Sequence, residues 1–214
     1  MTLDYPISPN TFLSQGGDVI WRIVPNQDGL SEFGAIPQPT GSGPRHAVIN
    51  NNTLITIHEL SSTITSQLVP LPGQSGSDII SNLSIVPEDQ AGLPGAKFAA
   101  AEVLIPSPNQ AFPSTLVYAS NRNVGTGTID PRGDSIAILS LGADGTLKVI
   151  NQFFTKLQQV RGMQFGGPDD KYLVASGVVG DGGVAVFERT GKGDQFVEVV
   201  RNKEIPNLTS FVWL

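Results

Sequence analysis

Short apolar segments recur along the whole chain, each bounded by glycine, proline, asparagine or aspartate. The clearest of them are 18–25, 53–60, 115–122, 134–141, 147–154, 171–179 and 183–189. They are rich in valine, isoleucine, leucine and aromatic residues, as β-strands are. Turn sequences such as GADG (142–145) and GDGG (180–183) separate them. The pattern therefore predicts an all-β chain.

Three stretches repeat the same order of strands, with Arg45, Glu102 and Arg161 at matching places near their starts. The starts read PRHAVI (44–49), AEVLI (101–105) and VRGMQF (160–165). Four strands per repeat are the plan of a β-propeller blade. The repeats predict complete four-stranded blades over about 45–86, 102–155 and 161–205. A β-sandwich with coincidental internal similarity is the alternative.

Both ends of the chain predict incomplete blades. Residues 10–36 contain segments typical of strands two to four of a blade, and 206–214 is typical of a single innermost strand. These pieces do not add up to a closed ring of ordinary size, so 1–214 is expected to be one partial propeller domain. Because an apolar strand with an open edge invites pairing, we expect marginal stability or self-association through the open blade edges.

Composition excludes several classes of function. The chain of 214 residues has no cysteine, which excludes thiolate catalysis and thiolate metal sites, and its two histidines argue against a histidine-rich metal site. Its net charge of −6 argues against non-specific nucleic-acid binding. No apolar run reaches the roughly 20 residues that cross a bilayer, and no signal peptide is visible, so we expect no membrane association and a cytoplasmic location.

Five short motifs occur in a fixed order: GPRHAVI (43–49), HELSST (58–63), AAEVLI (100–105), ASNR (119–122) and DSIAIL (134–139). Together they resemble the lactonase and carboxy-cis,cis-muconate cyclase family, which includes bacterial-type 6-phosphogluconolactonases. The resemblance implies a seven-bladed β-propeller, of which this chain would hold about four blades. The closing TSFVWL is similar to the end of fungal members, so the chain looks like a C-terminal fragment of a fungal-type protein. Two departures are HEL in place of NEL, and VRG in place of a later PRH-like element.

The same motifs contain the candidate catalytic residues Arg45, Glu59 and Arg122. Inner strands line the channel of a propeller and strand ends open onto one rim, so these side chains are expected to share one cleft. Arginine suits carboxylate or phosphate and stabilises developing negative charge. The carboxylate of Glu59 could transfer a proton or simply hold an arginine, and both readings stay open.

Glu102, Asn121 and Arg161 are candidate substrate-binding residues. Glu102 and Arg161 either line the channel or pair as structural ions, and Asn121 either binds substrate or ends its strand. Strand alternation directs His46 away from Arg45 unless the strand is bulged, and His58 is given no catalytic role. The family's proposed site also includes a histidine one blade upstream of GPRH, and no residue of this chain matches it.

The resemblance implies an enzyme for a small anionic substrate, either a lactone or a polycarboxylate, that needs no metal and no cofactor. The reaction would be hydrolysis of a 6-phosphogluconolactone-like compound or cycloisomerisation of a carboxymuconate lactone. The alternative is a catalytically inactive truncated propeller, acting as a binding module or arising from a gene-model fragment.

Overall fold

The computed structural model describes residues 10–71, 74–180, 182–205 and 208–213, with only the backbone for 10–14. The described residues form β-strands in four antiparallel sheets and contain no α-helix, which confirms the all-β prediction. In every sheet, strands that follow one another in sequence are also neighbours in space. Each sheet is therefore a simple meander, as in a propeller blade.

The first sheet has three strands and the other three sheets have four. The first contains β1 (Asn10–Ser14), β2 (Val19–Asn26) and β3 (Gly29–Pro37). The second contains β4 (Pro44–Asn50), β5 (Thr53–His58), β6 (Thr63–Leu68) and β7 (Ile79–Ser84). The third contains β8 (Phe98–Leu104), β9 (Leu116–Asn123), β10 (Ser135–Leu141) and β11 (Leu147–Phe154). The fourth contains β12 (Gln158–Gly166), β13 (Tyr172–Val179), β14 (Gly183–Thr190) and β15 (Gln195–Asn202).

The sheets follow one another as the blades of a propeller do. The first strands of successive sheets are neighbours, because β4 packs against β8 and β8 against β12. The second strand of one sheet also contacts the first strand of the next, as β5 does with β8 and β9 with β12. β1 makes this same contact with β4, so it occupies the place of a second strand in its blade. Four successive sheets in this order differ from a sandwich, in which two sheets pack as one pair.

Apolar side chains fill the space between each pair of neighbouring sheets. Ile20 and Leu54 lie between the first and second sheets, and Ile57 and Val117 between the second and third. Between the third and fourth sheets lies an aromatic cluster of Tyr118, Phe153, Phe165, Phe187 and Phe196, with several edge-to-face ring contacts. Successive residues of a strand point to opposite faces. The third sheet is therefore buried on both faces, and nearly every residue of β9 is buried.

Residues 208–213 lie along the fourth sheet without forming a strand there. A Cβ added to Gly162 on β12 would come within 2.4 Å of the Thr209 carbonyl oxygen, so the segment passes directly over this glycine. The Ser176 hydroxyl donates a hydrogen bond to the Leu208 carbonyl at 2.5 Å. The described part of 206–214 thus forms no strand, contrary to the innermost strand predicted there. Positions 206, 207 and 214 lie outside the described residues.

Replacing Gly162 with alanine is expected to displace this segment, because the new methyl group overlaps the Thr209 carbonyl. We expect the free energy of unfolding to fall by about 1–3 kcal/mol, the usual effect of overpacking. Trp213 of the same segment lies against Gly166, so its fluorescence should shift. Urea unfolding and emission spectra in a Trp21→Phe background measure both effects. Gly16→Ala is the control, since a Cβ at Gly16 meets nothing within 4 Å, and unchanged Gly162→Ala spectra would contradict the packing.

Candidate active site

The Glu59 carboxylate joins two arginines that come from different sheets. Its Oε2 accepts a hydrogen bond from Arg45 Nη1 at 2.7 Å, and its Oε1 accepts one from Arg122 Nη2 at 2.5 Å. Arg45 belongs to β4 and Arg122 to β9, while Glu59 directly follows β5. The cluster therefore spans the boundary between the second and third sheets and brings together the three residues that the sequence suggested as catalytic.

Backbone carbonyls of β8 hold both guanidinium groups in place. Arg45 Nε donates to the Ala101 carbonyl at 2.9 Å, and Arg122 Nε donates to the Ala99 carbonyl at 3.1 Å. The Arg122 side chain is only 5% exposed, whereas that of Arg45 is 18% exposed. A guanidinium with donors fixed on two sides cannot rotate. Arg122 is therefore a buried anchor, and Arg45 is the more accessible cation.

The environment of Glu59 keeps its carboxyl group ionised. Burial opposes the negative charge, but the hydrogen bonds and charges of Arg45 and Arg122 outweigh it and hold the pKa of Glu59 below its usual value. Gln15 Nε2 also donates to Oε2 at 2.6 Å. A carboxylate with three donors and a lowered pKa is poorly suited to exchange protons near neutral pH. Of the two readings of Glu59, the geometry favours the positioning of arginines.

A β-bulge near the start of each inner strand directs the side chains of this region. In β4 and β12 the extra residues are Arg45 and Arg161, which have no partner on the neighbouring strand. In β8, Ala101 and Glu102 together oppose the single residue Ser120. The registers make Ala101 the counterpart of Arg45 and Arg161. The sequence-based match of Glu102 to these arginines is therefore one residue off, because the repeat alone does not reveal where the ladder is interrupted.

The same bulge turns His46 toward the third sheet. Its Nδ1 lies 2.5 Å from Glu102 Oε1, although regular alternation would direct His46 away from Arg45. A bulge breaks that alternation because it inserts one residue without a partner. The backbone N–H of Glu102 donates to Ser120 Oγ at 3.0 Å, which fixes the strand at this point. A histidine–glutamate pair thus lies beside the arginine cluster. The sequence allowed His46 to lie near Arg45 only if the strand is bulged, and it did not predict the pair with Glu102.

Arg161 and Asn121 occupy different surroundings. Arg161 is exposed, and in the described part of the chain its guanidinium makes no hydrogen bond or ion pair. The pKa of Arg122 is lowered by burial and, more weakly, by the charges of Arg45 and Arg161, while Glu59 opposes the shift. Asn121 is fully buried, and its side-chain amide has no hydrogen-bond partner among the described residues. Alternation along β9 places Asn121 on the face opposite Arg122, outside the arginine cluster.

His58 precedes Glu59 but belongs to the protein interior. It is fully buried, and its Nε2 lies 2.9 Å from Thr65 Oγ1. Burial lowers the pKa of His58 to about 4, against the weaker opposing charge of Asp18. The imidazole is therefore neutral at physiological pH.

The described ranges contain no group of three or more histidine, aspartate or glutamate side chains placed to bind a metal ion. Within the same ranges, no helix has the length and apolar character that a membrane-spanning helix requires.

Replacing Glu59 with glutamine is expected to lower the free energy of unfolding by about 3 kcal/mol, because it leaves the buried Arg122 charge without its partner. Since the folded state lowers the Glu59 pKa, its contribution is present above the usual glutamate pKa and is lost as pH falls below it. Urea unfolding at pH 7 measures the effect. Glu188→Gln, which removes the exposed pair with Lys171, is the control and should change stability by less than about 1 kcal/mol. Equal effects of the two variants would contradict the importance of the bridge.

Replacing His58 with asparagine is expected to flatten the loss of stability in acid. Between pH 6.5 and about 4, the unfolded chain binds a proton at His58 and the folded chain does not, so stability falls as pH falls through this range. The full effect amounts to about 3 kcal/mol. Urea unfolding at several pH values measures the slope, and the difference at pH 7.5, where the imidazole is neutral in both states, isolates the change in packing. An unchanged slope in His58→Asn would show that His58 is not the group that titrates.

Solved structures from three bacteria share this arrangement of sheets. A protein from Lactobacillus plantarum superposes with a TM-score of 0.73 at 20% identity, covering 94% of this chain and 57% of the other. A periplasmic gluconolactonase from Pseudomonas aeruginosa gives 0.71 at 17% identity, covering 90% and 50%. A candidate 6-phosphogluconolactonase from Bacteroides fragilis gives 0.66 at 21% identity, covering 88% and 49%. At these identities the likeness shows the fold, and the chain spans about half the length of these proteins.

The sequence itself matches a family model over nearly its whole length. No curated protein matches it. The cytoplasmic location and the fungal origin suggested by the sequence stay predictions. The similar protein from Pseudomonas aeruginosa is described as a periplasmic gluconolactonase. The model for "Lactonase, 7-bladed beta-propeller" covers residues 16–213. The chain therefore belongs to the lactonase family of seven-bladed β-propellers, of which it contains an incomplete set of blades.

Proposed function

We propose that this chain forms the anion-binding part of a lactonase site and that its reaction is the hydrolysis of a small anionic lactone. The observation behind this proposal is the Glu59 bridge, which fixes two guanidinium groups side by side in a member of the lactonase family. Similar solved structures are named for gluconolactonase and 6-phosphogluconolactonase activities, which favours lactone hydrolysis over carboxymuconate cycloisomerisation.

The charges around the bridge suit an anionic substrate. The guanidinium groups of Arg45, Arg122 and Arg161 lie in one region with the carboxylates of Glu59 and Glu102. The buried carboxyl of Asp134 is also near Arg122: burial raises the pKa of Asp134, and the Arg122 charge opposes that rise. Arg161 makes no ion pair within the described residues, so its charge is available to a ligand. Arginine binds carboxylate and phosphate groups in a bidentate manner. A phosphorylated or carboxylated lactone would therefore be favoured over a neutral one.

Arg45 is the arginine placed to act on the reacting group. Its Nε and Nη1 are occupied by Ala101 and Glu59, whereas Nη2 has no partner among the described residues. When water attacks a lactone carbonyl, negative charge develops on the carbonyl oxygen. A fixed cationic donor that is oriented before reaction stabilises this charge, and loss of one such donor typically lowers kcat 10²–10³-fold, an order-of-magnitude figure. Arg122 acts on Arg45 indirectly, because both share Glu59.

The test is turnover of a lactone panel by the full chain, followed as proton release at constant pH. The panel holds a phosphorylated aldonolactone, a carboxylated lactone, a neutral aldonolactone and carboxymuconate lactone. We expect ring opening of the anionic aldonolactones and slower reaction of the neutral one. Arg45→Met should lower kcat roughly 10²–10³-fold, and Lys171→Met, an exposed cation in an ion pair with Glu188, should leave it unchanged.

Two results would count against the proposal. Binding of the anionic lactones without turnover would favour the alternative of a binding module. Equal activity of Arg45→Met and the unsubstituted chain would show that the bridge does not serve the reaction.

A further inference from the structure

We infer that His46 and Glu102 form the proton-transfer pair of this site, with His46 as the general base; this inference rests on the proposed lactone hydrolysis. The two side chains come from neighbouring inner strands, β4 and β8, and meet across the boundary between the second and third sheets. His46 Nδ1 lies 2.5 Å from Glu102 Oε1. A carboxylate at one ring nitrogen holds the proton there and leaves the other nitrogen free to accept one.

The second ring nitrogen of His46 is not hydrogen-bonded within the described residues, and the side chain is partly open to solvent. The His46 side chain is 44% exposed, and its Nε2 has no hydrogen-bond partner in the described residues. Glu102 is more buried and is anchored through its backbone to Ser120. One partner is thus fixed and the other is accessible, which is the arrangement that a carboxylate-oriented base requires.

The pair lies next to the cationic donor of the proposed reaction. Arg45 and His46 are consecutive, and they contact the consecutive residues Ala101 and Glu102 of the facing strand. The bulge at Arg45 makes this possible, because both side chains then reach toward the same strand. Oxyanion stabilisation and proton transfer would therefore occur within one small region of the channel wall.

The other titratable groups near this point are less suited to transfer a proton. Within the elements packed against β4, these are His58 and Glu59 at the end of β5 and Glu102 on β8. Glu59 accepts three hydrogen bonds and is kept ionised, and His58 is buried. The sequence contains only these two histidines, so His46 is the one accessible imidazole of the chain.

The steps balance without any further reagent. His46 Nε2 takes a proton from water as the water oxygen forms a bond to the lactone carbonyl carbon, and Arg45 Nη2 donates to the resulting oxyanion. The oxyanion then collapses, the ring C–O bond breaks, and the departing ring oxygen takes the proton from Nε2. Glu102 accepts the Nδ1–H bond throughout and stabilises the transient imidazolium. Lactone and water become one hydroxy acid.

The test compares His46→Gln and Glu102→Gln with the unsubstituted chain, using the phosphorylated aldonolactone from pH 5 to pH 9. His46→Gln should lower kcat roughly 10²–10³-fold with little change in KM, and should abolish the acid limb of the pH profile of kcat/KM. Glu102→Gln should lower kcat with KM retained, because the amide cannot fix the imidazole tautomer. Added imidazole should restore part of the activity of His46→Gly, as expected where the missing group is a base.

The outcomes separate this inference from the proposed function. If Arg45→Met loses activity while His46→Gln retains its kcat and the acid limb of its kcat/KM profile, His46 and Glu102 are only a bridge between sheets. In that case this inference fails and the proposed function stands. If the unsubstituted chain turns over no lactone, both proposals fail. Thermal unfolding of each variant controls for misfolding, and failure of imidazole to rescue a folded His46→Gly would also overturn the role of His46. Lys171→Met is again the unaffected control.

Discussion

The Glu59 carboxylate joins the second and third sheets, and the geometry of the candidate site depends on it. It lies between two guanidinium groups, one of which is almost entirely buried. Moving a charge from water into a protein interior costs several kcal/mol, and apolar side chains of similar size often stabilise a fold equally well. Such a bridge is therefore weak evidence for stability alone. Its more informative consequence is that two cations are held in a fixed geometry at a boundary between blades.

Repetition of the blade explains how different chemistry arises at equivalent positions. The bulged pair of residues is Arg45–His46 in β4, Ala101–Glu102 in β8 and Arg161–Gly162 in β12. Because His46 and Glu102 are equivalent in neighbouring blades, their side chains meet across the boundary. In the fourth sheet the same position is glycine, and the Thr209 carbonyl passes over the space that a side chain would fill. One backbone feature thus positions an imidazole, its carboxylate partner and a packing site.

The sequence predicted the strands and their grouping into sheets well, but it did not predict the register at the bulges. The apolar segment 147–154 coincides with β11, because alternation and flanking turns mark where a strand is half-buried. The bulges leave no such mark, so the orientation of His46 and the counterpart of Arg45 could not be derived from spacing. Segment 208–213 has a strand-like composition but lies over Gly162 of β12 without forming a ladder with it. Burial is a property of single residues, whereas strand assignment and register need a partner.

Carboxylates at the other boundaries between sheets bind different groups from those that Glu59 binds. Asp18 accepts the backbone N–H groups of Gly41 and Gly43 just before β4, and Asp134 accepts that of Val160 at the start of β12. Asp18 directly precedes β2 and Asp134 directly precedes β10, and these two strands occupy equivalent places in their blades. Each carboxylate fixes the path of the chain into the next inner strand. Burial raises the pKa of Asp134 to about 6 although three backbone N–H groups oppose the shift.

Asp18 and Asp134 bind backbone donors and so hold the chain in place. Glu59 instead holds two cationic side chains, and Arg45 keeps an unoccupied donor beside an accessible imidazole. The contrast between these acceptors rests on the groups that they bind, not on their burial or charge. This difference is the reason for placing the proposed ligand at the boundary between the second and third sheets.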